Sequence, residues 1–246
     1  MKSGLVMEDR PDDKKRYDLT VALRILRQAG WEDPQLFTSD SDEQIQNVIN
    51  ALCDLSVRDG LTGLVNATFF DVALGKEIER GLRTGKTSGL MVLDIDFFKR
   101  INDTFGHAAG NSVLESISAK IIQNLRRMDT AARIGGDEFA VILPECSPED
   151  AIHAAKRIHK ALNPLEITAG RHDLRITSSV GVVWTERSHS ISSGELLSAA
   201  DREMYRAKRS GRARLCHPPL VSTIITQDER SDLMDFLSEG NTHGKR

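Results

Sequence analysis

Cysteine, aromatic residues and long apolar runs are all scarce in this sequence. Three cysteines, Cys53, Cys146 and Cys216, stand far apart in 246 residues. An odd, widely spaced set makes neither a disulfide framework nor a zinc cage. No stretch approaches the roughly 18–20 apolar residues that a membrane span needs, so no membrane span is expected. The N-terminus, MKSGLVMEDRPDD, turns acidic before an apolar region forms. No secretory signal is therefore expected, and a cytoplasmic protein is. A basic surplus is missing as well. With a net charge of −3, a broad face for a nucleic-acid polymer is not expected. A local basic pocket for one nucleotide stays open, because net charge says little about local charge. The seven histidines are scattered, and His153 and His159, six apart, fall on different sides of a helix rather than forming a metal pair.

What is present is a chain 39 % hydrophobic, enough for one good core plus an appendage. Residues 1–16 are polar. Asp18 is placed to cap a helix running to about Gln28, with Gly30 as its stop, and 31–42 read as a loop. A second helix over about 43–58 carries Ile45, Val48, Ile49, Leu52 and Leu55 at helical spacing. It reads equally as a helix packed on its own domain and as a linker or dimerisation helix.

From Asp59 the pattern changes. The turn-rich DGLTGLVN leads into a helix over about 66–83, and GLMVLDI (89–95) suits a buried strand. A helical stretch starts near Phe97, and another covers about 109–127. ARIGGDEFAVIL (132–143) is two apolar arms around Gly135-Gly136, a hairpin signal. Ser147-Pro148 opens a helix to about Leu162. LRITSSVGVVW (174–184) reads as one strand, and Ser192 with Glu195 forms a capping box for a helix to about Arg209. These elements predict an α/β (α+β) sandwich, a central largely antiparallel sheet flanked by helices, with an N-terminal helical extension. The expected division is 1–58 as helical region and linker helix, 59–216 as the main domain, and 217–246 as a tail. In the tail Thr226 and Glu229 precede a short amphipathic helix with Leu233, Met234, Phe236 and Leu237.

Three features carry chemistry. Asp94 and Asp96 end an apolar strand on one face, just before a helix whose first N–H groups, near Phe97, Phe98 and Lys99, lack intrahelical partners. That suits a phosphate beside carboxylates holding a hard cation, although two acidic helix-capping residues would read the same way. Gly135-Gly136-Asp137-Glu138 puts two acids at a hairpin tip, where glycines permit positive φ and close approach of a ligand. The bland alternative is an ordinary hairpin with solvated acids. Lys208 and Arg212 close a helix, as phosphate cations or as complements to its dipole. Together they are the parts of metal-assisted phosphoryl transfer.

Six ordered blocks then give a resemblance: DGLTGL (59–64), LDIDFFKRIND (93–103), FGHAAG (105–110), ARIGGDEFAVILP (132–144), SVGV (179–182) and AADREMYRAKRSGR (199–212). The chain from about Asp59 to Arg214 resembles the GGDEF domain of diguanylate cyclases. The resemblance implies a fold like the palm of polymerases and adenylyl cyclases. It implies that two GTP are condensed into cyclic di-GMP and two pyrophosphates by a homodimer. It assigns Mg²⁺ (or Mn²⁺) to Asp94, the Ile95 carbonyl, Asp137 and Glu138, with Asp137 and Glu138 as catalytic acids. It assigns GTP to Phe97, Phe98, Lys99, Asn102, Asn111, Gly135, Gly136, Lys208 and Arg212. An RxxD motif, Arg126 to Asp129, matches the family's product-inhibition site, with Arg157 assisting. Asn111 stands where the family usually has aspartate, Ala67 where it tends to have arginine, and Ala213 where asparagine is common. Losing one guanine bond at Asn111 costs about 1–3 kcal/mol, which leaves a hybrid cyclase making cyclic GMP–AMP as an alternative. A catalytically silent cyclic di-GMP-binding module is the other.

Overall fold

The computed structural model describes residues 19–28, 42–186 and 190–220. The expected Asp18 cap, the Gly30 stop and the tail helix after Thr226 lie outside the described residues. So does most of the expected loop 31–42.

The elements are α1 (Thr20–Gln28), α2 (Asp42–Val57), β1 (Val65–Asn66), α3 (Ala67–Thr84), β2 (Gly89–Ile95), α4 (Phe98–Phe105), α5 (His107–Gln123), β3 (Thr130–Arg133), β4 (Glu138–Leu143), α6 (Pro148–Leu162), β5 (Leu165–Ala169), β6 (His172–Ile176), β7 (Ser178–Trp184), α7 (Ser193–Arg209) and β8 (Leu215–Cys216). One sheet runs β1-β3-β4-β2-β7-β8, and β5 pairs with β6 apart from it. The inner pairings are antiparallel. The two-residue edge strands β1 and β8 pair in parallel. The largely antiparallel sandwich is therefore as expected.

β2 is buried along its whole length, as a central strand covered on both faces must be. Alternation sends Met91, Leu93 and Ile95 into a core with α5 and α6. Leu90 and Val92 go into a second core with α3 and α7. On β7, Gly181 has no room for a side chain. A Cβ there would lie 2.2 Å from the Ala200 carbonyl and 2.3 Å from the Met204 nitrogen, so α7 rests its backbone on the strand. Ser192 caps α7 in the expected capping box. Ser147 caps α6 with Pro148 behind it and Asp150 completing a second box.

Three expectations need correction. The run 174–184 is two strands broken at Thr177, with β5 and β6 forming a separate hairpin. The helix expected over 109–127 starts at His107 and ends at Gln123, so the RxxD motif lies in a turn. Gly135 and Gly136 are not in the left-handed region. At Gly135 a Cβ would stand 2.6 Å from the Glu138 carboxylate, which would have to swing aside.

α1 and α2 pack on each other around Leu26, Val48 and Ala51, a small core of their own. α2 joins the sheet domain through the Asn66 amide, which donates to the Ser56 carbonyl at 2.6 Å while its oxygen caps α3. Among the described residues, no helix is long and apolar enough to cross a membrane.

Candidate active site

The site is assembled at the C-terminal end of β2. Register places Asp94 directly opposite Glu138 on β4, so their side chains share a face. The Ile95 N–H donates to the Asp137 carbonyl at 3.2 Å, which fastens the hairpin tip beside the strand end. Ile134 and Gly135 both donate to the Glu138 carbonyl, at 3.0 and 3.3 Å, closing the tip. Arg133 braces it, with one guanidinium nitrogen 2.7 Å from the Gly136 carbonyl and another 3.3 Å from Asp59. Burial by itself would raise the Asp59 pKa, but hydrogen bonds from Thr62 and the Arg133 charge carry it below the ordinary value.

Asp94 is 6 % exposed, and its carboxylate takes the Lys208 ammonium at 2.6 Å. Its pKa is nonetheless pushed up to about 6. Burial is the main cause. Lys208 opposes it, while the charges of Asp137 and Glu138 add to it. Two further acids thus act on Asp94 against a single ammonium, and Lys208 meets a carboxylate in addition to any phosphate it binds. Among the described residues, no three His, Cys, Asp or Glu side chains form a ready-made ion cage. Acids that make no complete cage suit Mg²⁺, which is bound through one or two carboxylates and takes its remaining oxygens from elsewhere.

Phe97 precedes α4, in the left-handed region at φ 60°, and gives it no side-chain cap. The first-turn N–H groups, starting with Phe98 and Lys99, therefore have no intrahelical partners. The Phe97 ring is 52 % exposed. The Arg212 guanidinium lies 4.5 Å and that of Arg100 lies 5.1 Å from its centroid, within cation–π range. Asn102 sits against Gly110, where a Cβ would fall 1.9 Å from its side-chain oxygen. Asn111 is exposed one residue further along α5.

Asp96 does not join these acids. Its carboxylate accepts from the Thr177 and Ser179 hydroxyls, each at 2.7 Å, and from the Ala213 N–H at 3.0 Å. Sequence reasoning gave no role to Asp59, Arg133, Thr177 or Ser179. Asp59 and Arg133 fall inside matched blocks, but nothing in the sequence pairs them.

Arg126 and Asp129 close a small turn away from this site. The Asp129 carboxylate accepts the Arg126 N–H at 2.7 Å, and the Asp129 N–H returns to the Arg126 carbonyl at 3.0 Å. Burial raises the Asp129 pKa against the opposing influence of Arg126 and Arg157. Arg157 reaches over from α6 to the Asn124 carbonyl at 2.9 Å. A groove of about 410 Å³ beside them is lined by Arg58, Leu64, Leu125, Arg126, Arg127 and Asp129, among others.

The profile described as "Diguanylate cyclase, GGDEF domain" matches residues 56–214. The chain is 37 % identical over 191 residues to the response regulator PleD of Caulobacter vibrioides, covering 73 % of this chain and 42 % of that protein. It is 38 % identical over 185 residues to the diguanylate cyclase DgcP of Pseudomonas aeruginosa, covering 75 % of this chain and 26 % of that one. It thus spans less than half the length of these relatives. The coiled coil and GGDEF domain of DgcB from Caulobacter crescentus, solved in complex with c-di-GMP, superposes with a TM-score of 0.67 at 27 % identity, over 81 % of this chain and all of that one. An intact GGDEF hairpin on a matching sheet, within a profile match that takes in most of the chain, means that this protein belongs to the GGDEF domain family.

Proposed function

We propose that this chain condenses two GTP into cyclic di-GMP and two pyrophosphates. The observation that carries the reading is the meeting of Asp94 with the Asp137–Glu138 hairpin tip beside the uncapped start of α4 and the Lys208 ammonium. Helix N-terminal amides favour a phosphate, and cations beside it stabilise charge gathering on the phosphoryl oxygens. In this reading the backbone of Phe97, Phe98 and Lys99, with Lys208 and Arg212, holds the triphosphate. Asn102 and Asn111 take the guanine, and Gly135 and Gly136 let the substrate approach the hairpin. Asp94, Asp137, Glu138 and the Ile95 carbonyl would hold Mg²⁺ or Mn²⁺, which when bound supplies Lewis-acid activation and charge neutralisation. Asp137 or Glu138 accepts the proton of the 3′-hydroxyl that attacks the α-phosphate of the other GTP. Each domain presents one such cradle, so the ring closes between two copies.

The groove beside Arg126 and Asp129, with Arg157 near it, is assigned to the product as an inhibitor. Arginine forks suit guanine and phosphate alike. The same reading keeps 1–58 as helical region and linker, 59–216 as the catalytic domain and 217–246 as a tail. The separate α1–α2 core supports the first boundary.

The test is incubation of the purified chain with GTP, ATP and Mg²⁺, with products identified by mass spectrometry. Cyclic di-GMP and pyrophosphate are expected. A mixed GMP–AMP ring would replace the guanine assignment at Asn111, and no cyclic product would leave a binding module. The double variant Asp137→Ala/Glu138→Ala should lose at least roughly a hundredfold in turnover with its circular dichroism spectrum unchanged.

A further inference from the structure

Asp96 is a buried carboxylate, 5 % exposed, which the proposed reaction does not use. Its three acceptances tie the end of β2 to the β6–β7 junction and to the segment after α7. Its own N–H donates to the Thr177 carbonyl at 2.9 Å. With three donors on two oxygens, about one of a carboxylate's roughly four lone-pair positions remains. Asp96 is therefore poorly placed to serve as an ion ligand beside Asp94.

The segment it holds is unusual. Arg212 and Ala213 are both in the left-handed region, at φ 61° and 48°, where residues with a Cβ are uncommon. Phe97 is there too. Such residues persist where their surroundings over-determine them. Here the constraints are visible. The Arg212 N–H donates to the Ala207 carbonyl at 3.1 Å, and the Arg214 carbonyl accepts from Val180 at 2.9 Å. Asp96 supplies the charged acceptor for the Ala213 N–H, from 117 positions away in sequence. The outcome is an Arg212 guanidinium laid over Phe97, at the start of α4.

We propose that Asp96 is a positioning residue: by holding the Ala213 N–H it fixes the turn that sets Arg212 over Phe97 at the phosphate end of the site. The inference rests on the nucleotide reading of that site. It gives the second acid of LDID a task distinct from that of the first.

The experiment is a double-mutant cycle on the full chain with Asp96→Ala, Arg212→Ala and the pair. KM and kcat for GTP are measured, alongside amide exchange of residues 210–216. Asp96→Ala should raise KM roughly tenfold, the effect of losing a charge-assisted hydrogen bond, with a smaller change in kcat. Exchange at Ala213 should accelerate. In the Arg212→Ala background the same substitution should add less than roughly twofold, because coupled residues are non-additive. Multiplying effects, or unchanged Ala213 exchange, would overturn the proposal. If Asp96→Ala does not fold, Asp96→Ser, whose shorter side chain stops at the Cγ position, goes through the same cycle, and additivity there overturns it equally. A wild-type chain that neither binds nor turns over GTP would sink the functional reading instead, while the exchange result would still report on the Asp96–Ala213 tie.

Discussion

At the residue scale, the most informative single group is Asp94. An ammonium at 2.6 Å ordinarily holds a carboxylate ionised, yet burial and two neighbouring acids win, and the pKa stands near 6 against an ordinary 3.8. The sign of the linkage follows. The folded chain binds the Asp94 proton more tightly than the unfolded chain does. Stability from this group is fully present below the unfolded value and is lost as pH rises through about 6. A shift of this size is on the order of 2–4 kcal/mol. Urea unfolding in EDTA at pH 4.5 and pH 7 should therefore show wild type losing stability relative to Asp94→Asn as pH rises. Parallel pH profiles for the two proteins would mean that Asp94 is not under this strain. The acid itself was legible only beside the other matched blocks, because two carboxylates ending an apolar run before a helix read equally well as helix caps. The crowding was not, since it depends on Glu138 arriving across a strand pairing.

At the element scale, close approach decides more than capping does. Ser192 capping α7 is a local device readable from sequence, and removing it with Ser192→Ala should cost about 1 kcal/mol. Gly181 carried no such signal, yet α7 rests its backbone on it. A methyl there cannot be relieved by moving a side chain. Gly181→Ala should cost about 3 kcal/mol or more and lift α7, with Lys208, from the site. Paired chemical melts of the two variants rank the effects, and a milder loss at Gly181 would mean that α7 sits further from β7. The same contrast explains what the sequence hid. β2 and the GGDEF hairpin announce themselves by apolar runs and a glycine pair. The break at Thr177 does not, because Ile176 and Thr177 run up to it and Val180 resumes beyond two serines, while the Thr177 hydroxyl is turned to Asp96, 81 positions away. β1 and β8 are two residues each and exist only through their partners. Arg133 and Asp59 meet across 74 positions, beyond any periodicity.

At the scale of the whole molecule, the proposed chemistry outruns one chain. One strand end, one hairpin tip and one α4 start make one cradle, and a ring of two nucleotides needs two. Turnover per subunit should then rise with protein concentration at saturating GTP, approaching a plateau once pairs predominate. A rate per subunit flat across a roughly thousandfold dilution, about the span that fills most of a monomer–dimer curve by mass action, would require a preformed dimer, and gel filtration over the same range would reveal it. A flat rate together with a monomeric elution volume leaves no way to bring two cradles together. The Arg126 groove offers a second, separable handle on the pair. It lies in the turn between α5 and β3, while the acids sit at the end of β2 and the hairpin tip, so the two sites answer to different substitutions. Arg126→Ala should leave the initial rate intact and raise the product concentration needed for half-inhibition at least roughly tenfold, the loss of one charged fork. If added cyclic di-GMP slows wild type and variant equally, the groove is not where the product acts.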